Sequence, residues 1–384
     1  MKKPIYLDYN ATTPHDPEVI SAMQPFLKEH FGNPSSSHWY GIQTKNAVEN
    51  ARKQVATLLN CQPDEIVFTS GGTESNNYAI KGVAFASRNK GNHIITTQIE
   101  HPAVIEVCKF LEQHGFEVTY LPVDEFGMIK ISDIEKAITS KTILITIMHA
   151  NNEVGTIQPI EEVARLARER GIIMHTDAAQ SIGKIPADVN VLGVDLLSIA
   201  GHKIYAPKGI GALFIRRGCQ IAKFIHGAGH EQGRRAGTEN VLGIVGLGKA
   251  CEIARRDLKK NMLHMREMRD LLHKGLIGKL DDIKLNGHPD KCLPNTLSLS
   301  FKGIEINLLL SEIKDYVAVS AGAACHSGGF NISHVLRAMK VPDEWAKGTL
   351  RFSVGKMTTK DEIEKAINIF INAITIIKTR QLKG

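Results

Sequence analysis

The chain has 384 residues, 43% hydrophobic and 23% charged, with a formal net charge of +7 and a pI near 9.0. That length exceeds one small core and fits a large domain joined to a smaller one, and the composition is that of an ordinary globular protein. The basic excess is spread along the chain without a block of five like charges, so direct nucleic-acid binding is not implied, although an acidic partner is allowed.

Six cysteines (Cys61, Cys108, Cys219, Cys251, Cys292 and Cys325) form no CxxC pair, which argues against a zinc or redox motif. The opening MKKPIYLDYNATTP has no apolar stretch of signal-peptide length, and no apolar run approaches a membrane span. A reduced, cytoplasmic protein with no membrane partner and no bound metal is expected.

No repeat interrupts the chain order. Apolar, β-branched runs appear at EIVFTS, NHIITTQ, EVTYLP, TILITIMHA, GIIMHTDA, LLSIAGH and GALFIRR. Helical patterns such as ESNNYAIKGVAFASRNK, PAVIEVCKFLEQHG and PIEEVARLARERG alternate with them. The alternation predicts an α/β fold with a mainly parallel seven-stranded sheet wrapped by helices. Ligands of such sheets collect at the carboxyl ends of the strands. A charged helix over roughly 240–279 reads as a solvated connector. Beyond it, NTLSLSFKG, DYVAVSAG and TLRFSVG, with helices around 305–314 and 360–379, predict a smaller α+β domain. The expected division is a large domain over 15–253 and a small one from 1–14 with 254–384.

Several strand ends carry residues suited to chemistry. GGTESNN follows EIVFTS and opens a helix, so Gly72 and Thr73 either hold a phosphate at a helix start or form a plain cap with Thr73 capping. His101 in EHPAV is structural, or it stacks on a flat ring and moves protons. Asn151 and Asn152 in NNEVG suit a turn, or face the cleft. Asp177, at the tip of the apolar run GIIMHTD, is costly to bury unless paired; a cationic heterocyclic nitrogen would pair it, with Gln180 close by. Lys203 in GHK, beside His202, either points into water or is kept desolvated to hold an aldehyde as a Schiff base. An acid and an amine on separate strand tips, with a phosphate-type turn on a third, match the parts that pyridoxal phosphate needs. Cys325 lies among small residues in SAGAACHSGGF, which suits a mobile loop with an accessible sulfur. Arg351 in TLRFSVG either grips a carboxylate or makes a surface ion pair.

These segments, with YLDYNATTP, GNPSSSH, NNEVGTIQPI, GAGHEQGRRAGTEN and PNTLSLSF, occur in the order found in the cysteine desulfurases. The chain resembles that family, class V and fold-type I pyridoxal phosphate enzymes of the NifS/IscS group, from about residue 5 to about 370. The resemblance implies that Lys203 binds the cofactor aldehyde, His101 stacks on the ring, Asp177 pairs with the ring nitrogen and Gln180 bonds the phenolic oxygen. It places Gly72, Thr73 and His202 at the phosphate, and Thr238 at the phosphate of a neighbouring subunit, hence a homodimer. Asn152 and Arg351 would hold the substrate carboxylate, and Cys325 would take sulfur as a persulfide.

Two departures concern the preferred chalcogen. Ala200 stands where the family usually has Ser, and AACHS replaces the usual SACTS; AACHS and GTEN resemble selenocysteine lyases. The expected activity is conversion of L-cysteine to L-alanine, with sulfur passed to an acceptor such as an iron–sulfur scaffold or a thiolation partner. Selenocysteine lyase is the alternative, and a cofactor-bearing docking scaffold is a third reading. Local activation of the Cys325 thiol is assigned to His101 or His326, without a choice between them.

Overall fold

The computed structural model describes residues 3–381 except 322, 327 and 328, and for 323–326, 329–331 and 381 the backbone alone. Along the first half run β1 (Ile5–Tyr6), α1 (Pro17–Lys28), α2 (Trp39–Leu59), β2 (Ile66–Thr69), α3 (Gly72–Ala86), β3 (His93–Thr97), α4 (Pro102–Glu112), β4 (Glu117–Leu121), α5 (Ile131–Ala137) and β5 (Thr142–Thr146). There follow α6 (Ile160–Glu169), β6 (Ile173–Asp177), α7 (Val189–Leu192), β7 (Leu196–Ala200), β8 (Gly211–Ile215) and the long α8 (Val241–Ile277). The remainder comprises β9 (Ile283–Asn286), β10 (Thr296–Phe301), α9 (Ile306–Ile313), β11 (Val317–Ala318), β12 (Ser320–Ala321), β13 (Ala323–His326), β14 (Gly329–Ile332), α10 (His334–Ala338), α11 (Asp343–Ala346), β15 (Thr349–Ser353) and α12 (Lys360–Gln381).

Seven strands form one sheet in the order β2-β8-β7-β6-β5-β3-β4. Its neighbours pair in parallel except β8, which runs antiparallel to both β2 and β7. Strands β2, β3, β5, β7 and β8 are buried at every position, because helices cover both faces. One face carries Phe68, Ile145, Met174, Leu197 and Phe214 against α2, α6 and α8. The other carries Val67, Ile94, Leu144, Leu196 and Leu213 against α3 and α4.

A second sheet, β12-β15-β10-β9, turns Leu297, Leu299, Phe301, Leu350 and Phe352 toward α8, α9 and α12. Leu7 belongs to this core, and β1 pairs with β11. The expectation of a solvated connector over 240–279 is corrected here. Helix α8 is buried almost continuously from Gly243 to Ala254 and again at Met265, Met268, Leu272 and Leu276. Its charges occupy the outer stripe, and its glycines admit neighbours: a Cβ on Gly248 would lie 2.6 Å from Ala51 Cα of α2. Among the described residues no helix is long and apolar enough to cross a membrane.

Candidate active site

A cavity of about 320 Å³ opens at the carboxyl ends of the parallel strands. At the end of β7, a single 3₁₀ turn, Gly201–Lys203, swings the lysine inward. Lys203 Nζ donates to the carbonyls of Asn10 (2.6 Å) and Ala11 (2.7 Å). Burial, followed by the Arg351 charge, pushes its pKa down to about 8, with Asp8 and Asp177 opposing. The neighbouring His202 is pushed down to about 4, mainly by burial, and its carbonyl accepts both the amide and the hydroxyl of Thr13 at 3.0 Å.

One strand over, β6 delivers Asp177, 7% exposed. Asn76 Nδ2 donates to one carboxylate oxygen at 2.7 Å and the Ala179 amide to the other at 2.9 Å. Gln180 follows on the same wall, 5% exposed, its Nε2 donating to the Asn10 carbonyl at 2.9 Å.

Helix α3 begins over the end of β7. A Cβ on Gly72 would meet the Ala200 Cβ at 3.2 Å, so the close approach favours glycine. The cap residue is Gly71, with no side-chain cap, and the expected capping by Thr73 does not occur: Thr73 is the second helical residue. Gly72, Thr73 and Ala200 line the cavity together, and no hydroxyl stands at position 200.

His101 caps α4. Its Nδ1 accepts the Ala103 amide at 3.1 Å, which leaves the proton of the neutral ring on Nε2. The imidazole keeps an open side at the cavity mouth, yet loss of hydration lowers its pKa, Asp177 opposes, and Lys203 and His334 add to the lowering. Beneath it, Glu100 is fully buried and accepts Thr97 Oγ1 at 2.7 Å and the Met148 amide at 3.1 Å. Burial raises this carboxyl to about 8.

The opposite wall comes from the smaller sheet. Arg351 of β15 is 8% exposed; one terminal nitrogen donates to the Asn152 carbonyl (3.0 Å) and the other to Asp8 Oδ1 (2.8 Å). Its Nε has no hydrogen-bond partner.

Nine of the residues singled out from the sequence therefore converge on one cavity: Gly72, Thr73, His101, Asn152, Asp177, Gln180, His202, Lys203 and Arg351. Thr238 is exposed and does not line this cavity. Where a loop is expected around Cys325, the backbone forms a hairpin with Cys325 opposite Phe330. The Cys325 and His326 side chains lie outside the described residues.

Sequence reasoning missed the strap at residues 5–13. Asn10, 1% exposed, joins Lys203 and Gln180 through its carbonyl, and Thr296 (2.8 Å), Asn295 (2.9 Å) and Lys184 (3.2 Å) through its side chain. No local pattern marks these partners, which lie far along the chain. Asn76, by contrast, follows Gly72 by one helical turn, and that spacing is readable in the sequence.

Comparison with known proteins agrees with this geometry. Residues 5–366 match the family model Aminotransferase class-V. A relative named Cysteine desulfurase IscS, from Dictyoglomus turgidum, is 50% identical over 380 residues, 99% of this chain and 96% of that protein. A solved structure described as a NifS-like protein superposes with a TM-score of 0.92 at 40% identity, over 97% of this chain and 100% of that one. Another, SspA in complex with cysteine, gives a TM-score of 0.82 at 39% identity, over 93% and 100%. On the shared fold, the full-length similarity and the cleft at the strand ends, the chain belongs to the class-V aminotransferase family, whose enzymes work with pyridoxal 5′-phosphate.

Proposed function

We propose that the chain is a pyridoxal 5′-phosphate-dependent cysteine desulfurase that converts L-cysteine to L-alanine and passes the sulfur through Cys325. One observation carries the reading: a desolvated amine, Lys203, and a buried carboxylate, Asp177, end adjacent strands and face one cavity. Relatives named cysteine desulfurase, and one solved with cysteine, support the substrate.

The donor set fits the cofactor. The first turn of α3 offers backbone N–H groups that no side chain caps, which suits a phosphate. Asp177, an acceptor held at both oxygens, suits a protonated ring nitrogen, and a neutral amine suits an aldehyde. When bound, the cofactor supplies an electrophilic carbonyl and a heterocycle that withdraws electrons from the substrate Cα.

The protein's own groups do the rest. Lys203 Nζ is neutral in an appreciable fraction near pH 7, so it can hold an aldehyde and can move a proton at the substrate Cα. His101, with Nδ1 engaged by the Ala103 amide, would cover the ring face and offers Nε2 as a second proton carrier. Arg351, oriented by Asp8 and the Asn152 carbonyl, presents a fixed guanidinium to the substrate carboxylate. Cys325 takes the sulfur: an S–S bond forms, the substrate C–S bond breaks, and the carbon skeleton gains a proton and leaves as alanine. This assignment rests on its place in SAGAACHSG.

We assign the enzyme to a cytoplasmic homodimer that delivers sulfur to an iron–sulfur scaffold or thiolation acceptor. The exposure of Thr238 outside this chain's own cavity supports a role for it at a partner's phosphate. The division into 15–253 and 1–14 with 254–384 is supported by separate cores, one ending at Ile253 of α8 and the other starting at Met265. The test is product analysis: the loaded enzyme with L-cysteine yields alanine, and Lys203→Ala loses both alanine and the visible absorbance of the bound cofactor. Absence of alanine from the wild type, or survival of band and activity in Lys203→Ala, defeats the reading.

A further inference from the structure

Lys184 is 5% exposed and lies four residues beyond Gln180, in the turns that follow β6. Among the described residues it makes no ion pair. Asp16, which lines the same small cavity behind the site, is taken by Lys356. The charges that act on Lys184 are two cations, Lys203 and Arg351, and together with burial, the largest cause, they hold its pKa well below the ordinary lysine range. A neutral amine has two N–H groups, and Lys184 has two acceptors: Gln180 Oε1 at 2.8 Å and Asn10 Oδ1 at 3.2 Å.

We propose that Lys184 is a positioning residue that fixes which way the Gln180 amide faces and so aims an Nε2–H into the cavity. The inference rests on reading that cavity as the cofactor site. The amide is locked from both ends. Its oxygen accepts from Lys184, and one of its two N–H groups donates to the Asn10 carbonyl at 2.9 Å. Turned over, it would set its oxygen against that carbonyl, two acceptors face to face. In the observed orientation the second N–H is left for the cavity, where the family resemblance places the phenolic oxygen of the cofactor. The same Asn10 carbonyl accepts Lys203 Nζ at 2.6 Å, so one strap residue joins the two buried amines.

Donation to the phenolic oxygen lowers its basicity, and an amide free to turn donates for only part of the time. The experiment is a double-mutant cycle read by pH titration of the visible absorbance of the loaded protein, with cofactor affinity measured alongside. Gln180→Ala is expected to raise the half-titration pH by about one unit, a tenfold change worth about 1.4 kcal/mol, and Lys184→Met to raise it by a measurable part of that. The double variant is expected to move no further than Gln180→Ala alone. A double variant whose shift equals the sum of the singles, or a Lys184→Met titration matching wild type, overturns the proposal. A purely structural role would move the melting temperature and leave the titration in place. Should Lys184→Met fail to fold, a crystal structure of the loaded wild type decides: Lys184 Nζ within hydrogen-bond distance of the Gln180 amide oxygen supports the proposal, and a longer separation ends it. Failure of the functional reading is seen separately, as absence of alanine from cysteine with the titration cycle intact.

Discussion

Lys203 makes a quantitative demand on the free protein. Its amine is drawn from an ordinary value of 10.5 to about 8. Each unit is about 1.4 kcal/mol, so its surroundings penalise the ammonium by about 3 kcal/mol, less whatever water at the cavity mouth screens. At pH 7 about 9% of the amine is then neutral, against about 0.03% for a free lysine, a gain of roughly 300-fold in reactive form. Mixing cofactor-free protein with pyridoxal 5′-phosphate at a series of pH values, and following the visible band, reads this directly. The rate of band formation is expected to rise with pH and level off near 8. The causes give the signs for two variants. Arg351→Gln removes a cation and moves the midpoint up, while Asp177→Asn removes an anion and moves it down. A rate that keeps climbing beyond pH about 9.5, or variants that shift in the opposite senses, would refute the claim that burial and Arg351 set the reactivity of this amine.

Three further outcomes are expected. Glu100, raised to about 8 by burial, keeps a proton when folded that the unfolded chain releases above its ordinary value of 4.5. Its contribution is therefore complete below that value and is lost as pH rises through 8. Glu100→Gln should match wild type in urea denaturation at pH 4 and exceed it by a few kcal/mol at pH 8.5, and identical pH dependence would exclude a protonated Glu100. Cys325→Ser should keep the visible band and lose alanine formation from cysteine while retaining turnover of selenocysteine, with both products assayed side by side. Gly248→Ala should cost about 1–3 kcal/mol of unfolding free energy in urea denaturation by forcing α8 away from α2, and unchanged stability would show that the helices can part freely.

How much was legible follows from the range of the interactions. Strands buried on both faces read as unbroken apolar runs, so EIVFTS, TILITIM and LLSIA announce the sheet and its carboxyl ends. Asp177 ends such a run, and Gly72, His101 and Lys203 follow one within four residues, which makes them visible. Helix α8 misled because composition averages over its circumference: Arg255, Lys259 and Arg266 mask an apolar stripe that two cores share. Asp8, Asn10 and Lys184 were hidden for a different reason. Asn10 meets Asn295 across 285 residues and Ser353 across 343, and Lys184 meets Asn10 across 174. Nothing in YLDYNATTP alone states that its asparagine will hold two amines, because that depends on where four distant segments come to rest.

The strap also sets a timetable. During synthesis Asn10 leaves the ribosome ahead of all its partners, and Ser353, which bonds its amide, emerges last among them. Until then the strap that presents its carbonyl to Lys203 lacks one of its anchors, and closing a loop across so long a separation carries a large entropic cost. A fragment that ends inside α8 would hold the reactive lysine yet lack Asn295, Thr296 and Ser353, three of the side chains that seat the strap against it.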